Sequence, residues 1–206
     1  MTGRMYVKST ESPLAKHAAV VLGLGDQNFV FEDTRYFGRF TLSTARIEEL
    51  GPEPLEKGFT VPYFAKALKR SRQSIKVKLL DQNLVAGIGN IYASEALFRA
   101  EIPPRLAAAR LSLEQVARLW KAIRVVLREA IRFGSTVQLN YSGDRTRTGL
   151  FYYGRAPDTP DYYEERLRVY DRSGKPCPRC GEAIRRINQA QRSTYFCPAC
   201  QHSRRG

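Results

Sequence analysis

Four cysteines near the C-terminus constrain this chain more than any other feature. Cys177, Cys180, Cys197 and Cys200 follow the spacing C-x2-C-x16-C-x2-C. Two close pairs of this kind place four thiolates around one Zn²⁺ in a tetrahedron. The other reading of such pairs is two redox or disulfide couples. Four protein ligands close the coordination shell, so the predicted ion is structural and not catalytic. "AIRRINQ" and "STYFC" alternate like the strands of a hairpin. The metal supplies the folding energy of a segment too small to bury a core of its own. The turn "NQAQRS" carries Arg192, and residues 174–206 hold 7 basic residues against 1 acidic. An arginine at the tip of a metal-stiffened hairpin can clamp a phosphate or enter a groove with little ordering cost. A solvated surface arginine is the plain alternative.

The charge of the whole chain points the same way. The net charge is +14 at a pI of 9.9, which suits a polyanionic partner: DNA, RNA or an acidic membrane face. Residues 1–58 hold 7 Lys and Arg against 8 Asp and Glu, and residues 59–206 hold 27 against 12. The basic surface therefore belongs to the later part of the chain and forms a local face. No apolar run approaches the roughly 18 residues a membrane helix needs. The N-terminus "MTGRMYVKST" lacks the apolar stretch of a signal peptide. A cytosolic, reducing setting and no membrane partner are expected.

Along the chain, "RMYVKS", "HAAVVLGL" and "NFVFED" read as strands separated by turns such as "GDQN". "LGPEPLEKG" (50–58) is rich in Pro, Gly and polar residues and reads as a linker. The pattern then turns helical. "VPYFAKALKRS" forms one helix with Pro62 near its start. "SLEQVARLWKAIRVVLREAIRF" forms another, opened by a Ser112/Gln115 capping box. Its predicted apolar stripe is Val116, Trp120, Ile123, Leu127, Ala130 and Ile131. Arg118, Lys121, Arg124 and Arg128 fall on other faces and read as solvated. Residues 134–166 have no periodicity and read as a mobile loop, long enough for function to be a reason for it.

The stretch "LLDQNLVAGIGNIYASEALF" (79–98) breaks two helices with Gly-Ile-Gly-Asn. A dinucleotide fingerprint would need a third glycine and a preceding strand, and neither is present. The pattern fits helix ends instead. Gly87 suits the residue that stops the first helix, and Asn90 suits the N-cap of the second. Backbone N–H groups and the helix dipole at such a turn form an anion site. An ordinary helical hairpin is the alternative.

These residues carry a resemblance. "KVKLLDQNLVAGIGNIYASEALFRAEIPP" resembles the helix–two-turn–helix element of the formamidopyrimidine-DNA glycosylase/endonuclease VIII family, and the closer likeness is to the formamidopyrimidine branch. The four-cysteine hairpin with "QRSTYFCPAC" is similar to that family's zinc finger. "EDTRYFGRF" is similar to its Arg-x-Phe lesion loop, and "LGPEPL" to its interdomain hinge. The fold implied is α+β, with a partial β-sandwich remnant at 1–50, a hinge at 51–58 and a helical domain with the helix–two-turn–helix at 59–133. A lesion-recognition-type loop at 134–166 and a C-terminal four-cysteine zinc-finger β-hairpin at 167–206 complete it.

The resemblance also implies roles. Lys76 and Asn90 bind phosphates flanking the lesion, and His17 and Arg72 make further DNA contacts. Arg35, Phe37 and Met1 fill the void left by a flipped-out nucleotide. Arg192 holds that nucleotide's phosphates and assists δ-elimination, and Glu95 and Tyr92 support the site. Cys177, Cys180, Cys197 and Cys200 hold the single zinc. The implied activity is base-excision repair: a glycosylase with AP-lyase action that removes oxidised purines from duplex DNA. The partners implied are duplexes with oxidised purines or abasic sites, met by a monomer in the bacterial cytosol.

The chain departs from the family in places. The family's proline nucleophile, its neighbouring glutamate and its β-elimination lysine have no counterpart in "MTGRMYV", which aligns with an internal strand. A fragment of an ordinary glycosylase is the expectation, and a short form that binds damaged DNA without cutting it is the other. Tyr36 stands where the family often has a second arginine, and the ending of the 134–166 loop leaves the choice of damaged base open. A non-catalytic, zinc-containing nucleic-acid-binding protein is the rival reading of function.

Overall fold

The computed structural model describes residues 4–132 and 167–202. Met1 and the loop at 134–166 lie outside the described residues. The chain divides into two compact units, one ending at Ser43 and the other beginning at Thr44 and including the C-terminal segment.

The first unit contains a three-stranded antiparallel sheet in the order β1-β3-β2, from β1 (Arg4–Ser9), β2 (Ala18–Leu24) and β3 (Gln27–Glu32). All three strands follow the β-branched and aromatic runs of the sequence. The register pairs Met5 with Phe31, Val7 with Phe29 and Leu22 with Phe29, so apolar residues share one face. After β3 the chain turns around Asp33. Its carboxylate accepts N–H bonds from Arg35 at 3.1 Å and from Gly38 at 2.7 Å. A Cβ at Gly38 would meet the Phe31 ring at 2.6 Å, so any other residue there would have to displace that ring.

The second unit is helical, with the metal-type hairpin attached. It begins with the short α1 (Ala45–Glu48) and continues with α2 (Val61–Lys69), α3 (Ile75–Lys78), α4 (Asn90–Arg99) and α5 (Leu113–Arg132). Thr60 caps α2 by accepting from Tyr63 N–H, with Pro62 in the first turn. The α5 capping box forms as its sequence implies: Ser112 Oγ accepts from Gln115 N–H, and Gln115 Oε1 accepts from Ser112 N–H. Phe59, Phe64, Leu68, Ile75, Leu79, Leu97 and Leu119 form a shared core with apolar side chains of α4 and α5.

Several local expectations are corrected here. The stripe of α5 is Val116, Leu119, Ala122, Ile123, Val126 and Ala130, and Ile131 is 71% exposed. The helix packs against α2 on one side and α4 on the other, so its buried sector rotates away from Ile131. Trp120 and Leu127 are only partly buried at its margin. The first helix of the Gly-Ile-Gly-Asn element ends at Lys78, well before Gly87. Gly87 has φ +75° and closes a run of turns that starts at Asp81, so it stops no helix.

Arg124 is not solvated. It donates to the carbonyls of Pro54 at 2.6 Å, Leu55 at 3.3 Å and Glu56 at 3.4 Å, and its guanidinium lies 4.9 Å from the Trp120 ring centre. Trp120 Nε1 donates to Phe59 O at 2.7 Å. Gly51 N–H donates to Gln82 O, and a Cβ at Gly51 would come within 2.7 Å of Asn83 O. The Pro/Gly stretch at 51–58 is thus held against the second unit by these bonds. Arg118 is bonded too, to Glu114 and to Ala100 O.

The β4 strand (Arg185–Gln189) pairs antiparallel with β5 (Arg192–Phe196) through a two-residue turn, Ala190-Gln191. Arg192 is therefore the first residue of β5, opposite Gln189, and not the tip. Both turn residues have positive φ, 47° and 60°, the conformation a tight hairpin of this twist demands and one that Ala and Gln adopt only under strain. No described helix is long and apolar enough to cross a membrane.

Replacing Arg124 by Met leaves three carbonyls without their donor. We expect a loss of about 2 kcal/mol in unfolding free energy by urea titration. The same change at exposed Arg128 should fall within about 0.5 kcal/mol of the parent. Equal effects of the two would contradict a structural role for Arg124.

Candidate nucleic-acid interface

The four sulfurs lie within 4.8 Å of one another. Cys177–Cys200 measures 3.9 Å, Cys180–Cys197 3.5 Å and Cys180–Cys200 3.4 Å. A disulfide would need about 2 Å. A tetrahedron with Zn–S bonds of about 2.3 Å has edges of about 3.8 Å, which these spacings match. Backbone N–H groups of Arg179 and Cys200 point at the sulfurs of Cys177 and Cys197, both at 3.4 Å. Burial pushes the Cys197 and Cys200 thiols up. Four adjacent sulfurs lose their protons together only beside a strong cation. The set fits one structural Zn²⁺, which ties the two knuckles beneath β4 and β5.

The stapled hairpin is docked on the helices. Gln201 accepts from Cys197 N–H and donates to Ile102 O, both at 2.9 Å. Arg179 pairs with Glu101 and lies 4.9 Å from the Phe98 ring centre. Phe98, Val169, Ile184 and Tyr195 pack with Cys177 and Cys197 in a second core.

This docking brings four distant segments to one place. Lys76, in the short α3, is fully buried, and its Nζ donates to Asn90 Oδ1 at 2.5 Å. The other end of the Asn90 amide donates to Ser193 O at 2.9 Å and to Tyr170 Oη at 3.4 Å. Asn90 is therefore not the cap of α4. Gly89 is the N-cap and Asn90 the first helical residue, because its side chain is drawn towards β5. Gln189, opposite Arg192, donates to Ser74 Oγ at 2.9 Å and to Pro104 O at 3.3 Å.

The electrostatics are one-sided. Burial and, second to it, the nearby Arg192 guanidinium together lower the Lys76 ammonium to about 8. Among the described residues no carboxylate touches either cation. The nearest candidate on α4, Glu95, is occupied: it accepts N–H bonds from Arg168 at 3.0 Å, Val169 at 2.9 Å and Tyr170 at 2.8 Å. Burial pushes the Glu95 carboxyl up, and these three donors oppose that. A buried lysine beside an exposed arginine, with no carboxylate among the described residues against either, suits an anionic ligand.

Of the residues singled out in the sequence, Lys76, Asn90 and Arg192 come together. Glu95 lies buried behind them, and Tyr92 is half-buried on α4. Arg72 is exposed in the segment between α2 and α3. His17, Arg35 and Phe37 belong to the first unit. There Phe37 is 81% exposed, the Arg35 guanidinium lies 5.6 Å from its ring centre, and His17 meets the Tyr36 ring edge-on at 6.1 Å. Tyr36 has φ +52°, so the turn around Asp33 holds its strain at this exposed tip. Backbone N–H groups of Gly38 and Arg35 hold the Asp33 carboxyl below its usual range. Tyr170, Ser193 and Gln189 were missed, because nothing in their local sequence marks a partner some 80 to 115 residues away.

Known proteins share these features. Residues 50–141 match the formamidopyrimidine-DNA glycosylase H2TH domain, and residues 174–202 match the zinc finger found in FPG and IleRS. A formamidopyrimidine-DNA glycosylase of Desulfitobacterium hafniense is 42% identical over 208 residues, covering 98% of this chain and 72% of its own length. One from Chloroflexus aurantiacus is 44% identical over 207 residues, covering 98% and 70%. Among solved structures, the Lactococcus lactis Fpg in complex with abasic-site DNA superposes with a TM-score of 0.80 at 30% identity, over 98% of this chain and 73% of that one. The MutM (Fpg) protein of Thermus thermophilus gives 0.77 at 38% identity, also over 98% and 73%.

The lowered Lys76 has a sign that can be checked. The unfolded chain keeps this proton up to about 10.5, and the folded chain releases it near 8. Unfolding then takes up a proton between those values, and stability rises with pH across that window. Below about pH 8 the full cost of the buried charge is present, on the order of 3 kcal/mol. Lys76→Met should therefore be more stable than the parent at pH 7, with the gain gone by pH 10.5. A gain equal at both pH values, or none, would contradict the assignment.

Proposed function

Since the chain belongs to the formamidopyrimidine-DNA glycosylase family and is by family a DNA-repair glycosylase and lyase, we propose that its ligand is duplex DNA carrying an oxidised purine or an abasic site, held by Lys76, Asn90 and Arg192. The single observation that carries this reading is the buried Lys76 ammonium, joined to Asn90 and faced by Arg192 with no carboxylate among the described residues to neutralise it. A backbone phosphate placed there would bring negative charge to the two cations and accept charge-assisted hydrogen bonds.

Each residue contributes a separate part. Asn90 fixes the distance between the lysine and the hairpin by bonding to both. Arg192 reaches from β5 as an exposed guanidinium on a rigid base, suited to grip phosphate oxygens in pairs. Zinc, when bound, supplies the cross-link that keeps β4 and β5 in register beneath it. Glu95 sets the backbone of 168–170 and so places Tyr170 against Asn90.

In the first unit, Phe37 and Arg35 are proposed as the residues that occupy the space of an extruded nucleotide. A base inside a duplex cannot be reached, so it must swing out and the gap must be filled. The exposed Phe37 ring with Arg35 over it is a suitable wedge. His17 and Arg72 are proposed as further backbone contacts, and Tyr92 as a support on α4. The relatives are bacterial, and a single copy acting on chromosomal DNA in the cytosol belongs to the same reading.

The test is binding to a duplex with one abasic-site analogue, followed by fluorescence anisotropy across a salt series. Asn90→Ala should weaken affinity at least tenfold, since it also releases the hairpin from Lys76. Arg192→Ala should weaken it and reduce the slope of log K against log salt by about one unit. Parent-like binding by both variants would remove the basis for the assignment.

A further inference from the structure

Beyond Lys76 and Arg192, the second unit carries a further cluster of cations, of which only Arg72 has been given a DNA contact above. Residues 57–80 and 102–113 contain no acidic residue. The fold lays these two segments side by side. Ser74 and Ala107 form an antiparallel bridge. Ala108 N–H donates to Gln73 O at 2.8 Å, Ala109 N–H to Ser71 O at 3.0 Å and Ile75 N–H to Leu106 O at 2.7 Å. Antiparallel pairing thus sets Arg110 near Arg70 and Arg72 at one end of this ribbon and Arg105 across from Lys76 at the other, and all four arginines are exposed. Lys66 and Lys69 in the last turn of α2 and Arg70 at its C-cap have an ordinary explanation in the helix dipole. Arg72 and Arg105 lie outside any helix, and Arg110 ends a three-residue 3₁₀ turn, so the dipole does not account for them.

The ribbon also begins at the grip. Gln189 of the zinc hairpin donates to Ser74 and Pro104, one on each strand, and Lys76 N–H donates to Pro104 O. From Arg70 to Lys76 is six residues, at most about 20 Å of chain. That corresponds to about six base pairs at roughly 3.4 Å each.

We propose that Arg70, Arg105 and Arg110, with Arg72, form a track for the sugar–phosphate backbone of the duplex flanking the lesion, on the side that the 71–76 ribbon faces. The track reads no base and no damage. It adds sequence-independent affinity and keeps the protein on undamaged DNA between lesions. This inference rests on the DNA reading above.

The test uses the full zinc-loaded chain and two duplexes of about 25 base pairs, one with a central abasic-site analogue and one undamaged. The triple variant Arg70→Ala, Arg105→Ala, Arg110→Ala is compared with a control of equal net charge at three exposed cations outside the ribbon, Lys57→Ala, Lys121→Ala, Arg128→Ala. We expect the track variant to lower the salt slope by about two to three units on both duplexes, since each lost phosphate contact removes about 0.9. Its preference for abasic over undamaged DNA should stay within twofold of the parent, and the control should keep the parent slope. Equal slopes for parent and track variant overturn the track, as do equal losses in the two triple variants. A parent that binds both duplexes equally, with a slope that still depends on the track, overturns the lesion reading and leaves the track standing.

Discussion

The side-chain amide of Asn90 is the joint on which this interface depends. Its oxygen accepts from a buried ammonium, and its nitrogen donates to a backbone carbonyl of the zinc hairpin. An amide offers an acceptor and two donors on one short, planar group that does not titrate. An aspartate would satisfy Lys76 but turn an oxygen towards Ser193 O, and an alanine would leave both partners unpaired. It ties Lys76 of the helical element directly to the metal-pinned ribbon, beside the bonds of Gln189 and Gln201 that dock the same ribbon.

The surface is built at the expense of stability. Lys76 is buried without a counter-ion among the described residues, Arg192 adds like charge beside it, and Ala190 and Gln191 occupy a turn that prefers glycine or asparagine. These features are tolerated because the surroundings over-determine them. Gln201 and the Arg179–Glu101 pair hold the hairpin down, Glu95 fastens the chain at 168–170, and Arg124 holds the 54–56 backbone. A phosphate would relieve the charge, so the free energy stored in the unbound protein becomes affinity on binding.

What was legible in the sequence was local. The cysteine spacing, the three strands and the Ser112/Gln115 box are patterns of nearest neighbours, and each formed where the pattern put it. The helix–two-turn–helix likeness singled out Lys76 and Asn90, and the zinc-finger likeness singled out Arg192. Their physical roles in the fold were not legible. Asn90 has a good capping side chain, but a carbonyl 103 residues later competes for it and wins. Arg124 looks like a surface charge until three carbonyls from 68 to 70 residues away converge on it. The stripe of α5 was misplaced at its end because two neighbouring helices, not one, define its buried sector. Long-range hydrogen bonds of this kind leave no trace in local periodicity.

The central claim is that the metal-pinned hairpin, through Asn90, completes an anion grip on an otherwise stable helical unit. Stepwise removal of zinc with a chelator tests it most directly, with zinc release, helical circular dichroism and abasic-duplex binding followed on the same sample. The account expects binding to fall in proportion to zinc released, most of the helical signal to persist, and binding to return when zinc is restored. A zinc-free chain that keeps both the affinity and the salt slope of the loaded protein would contradict it.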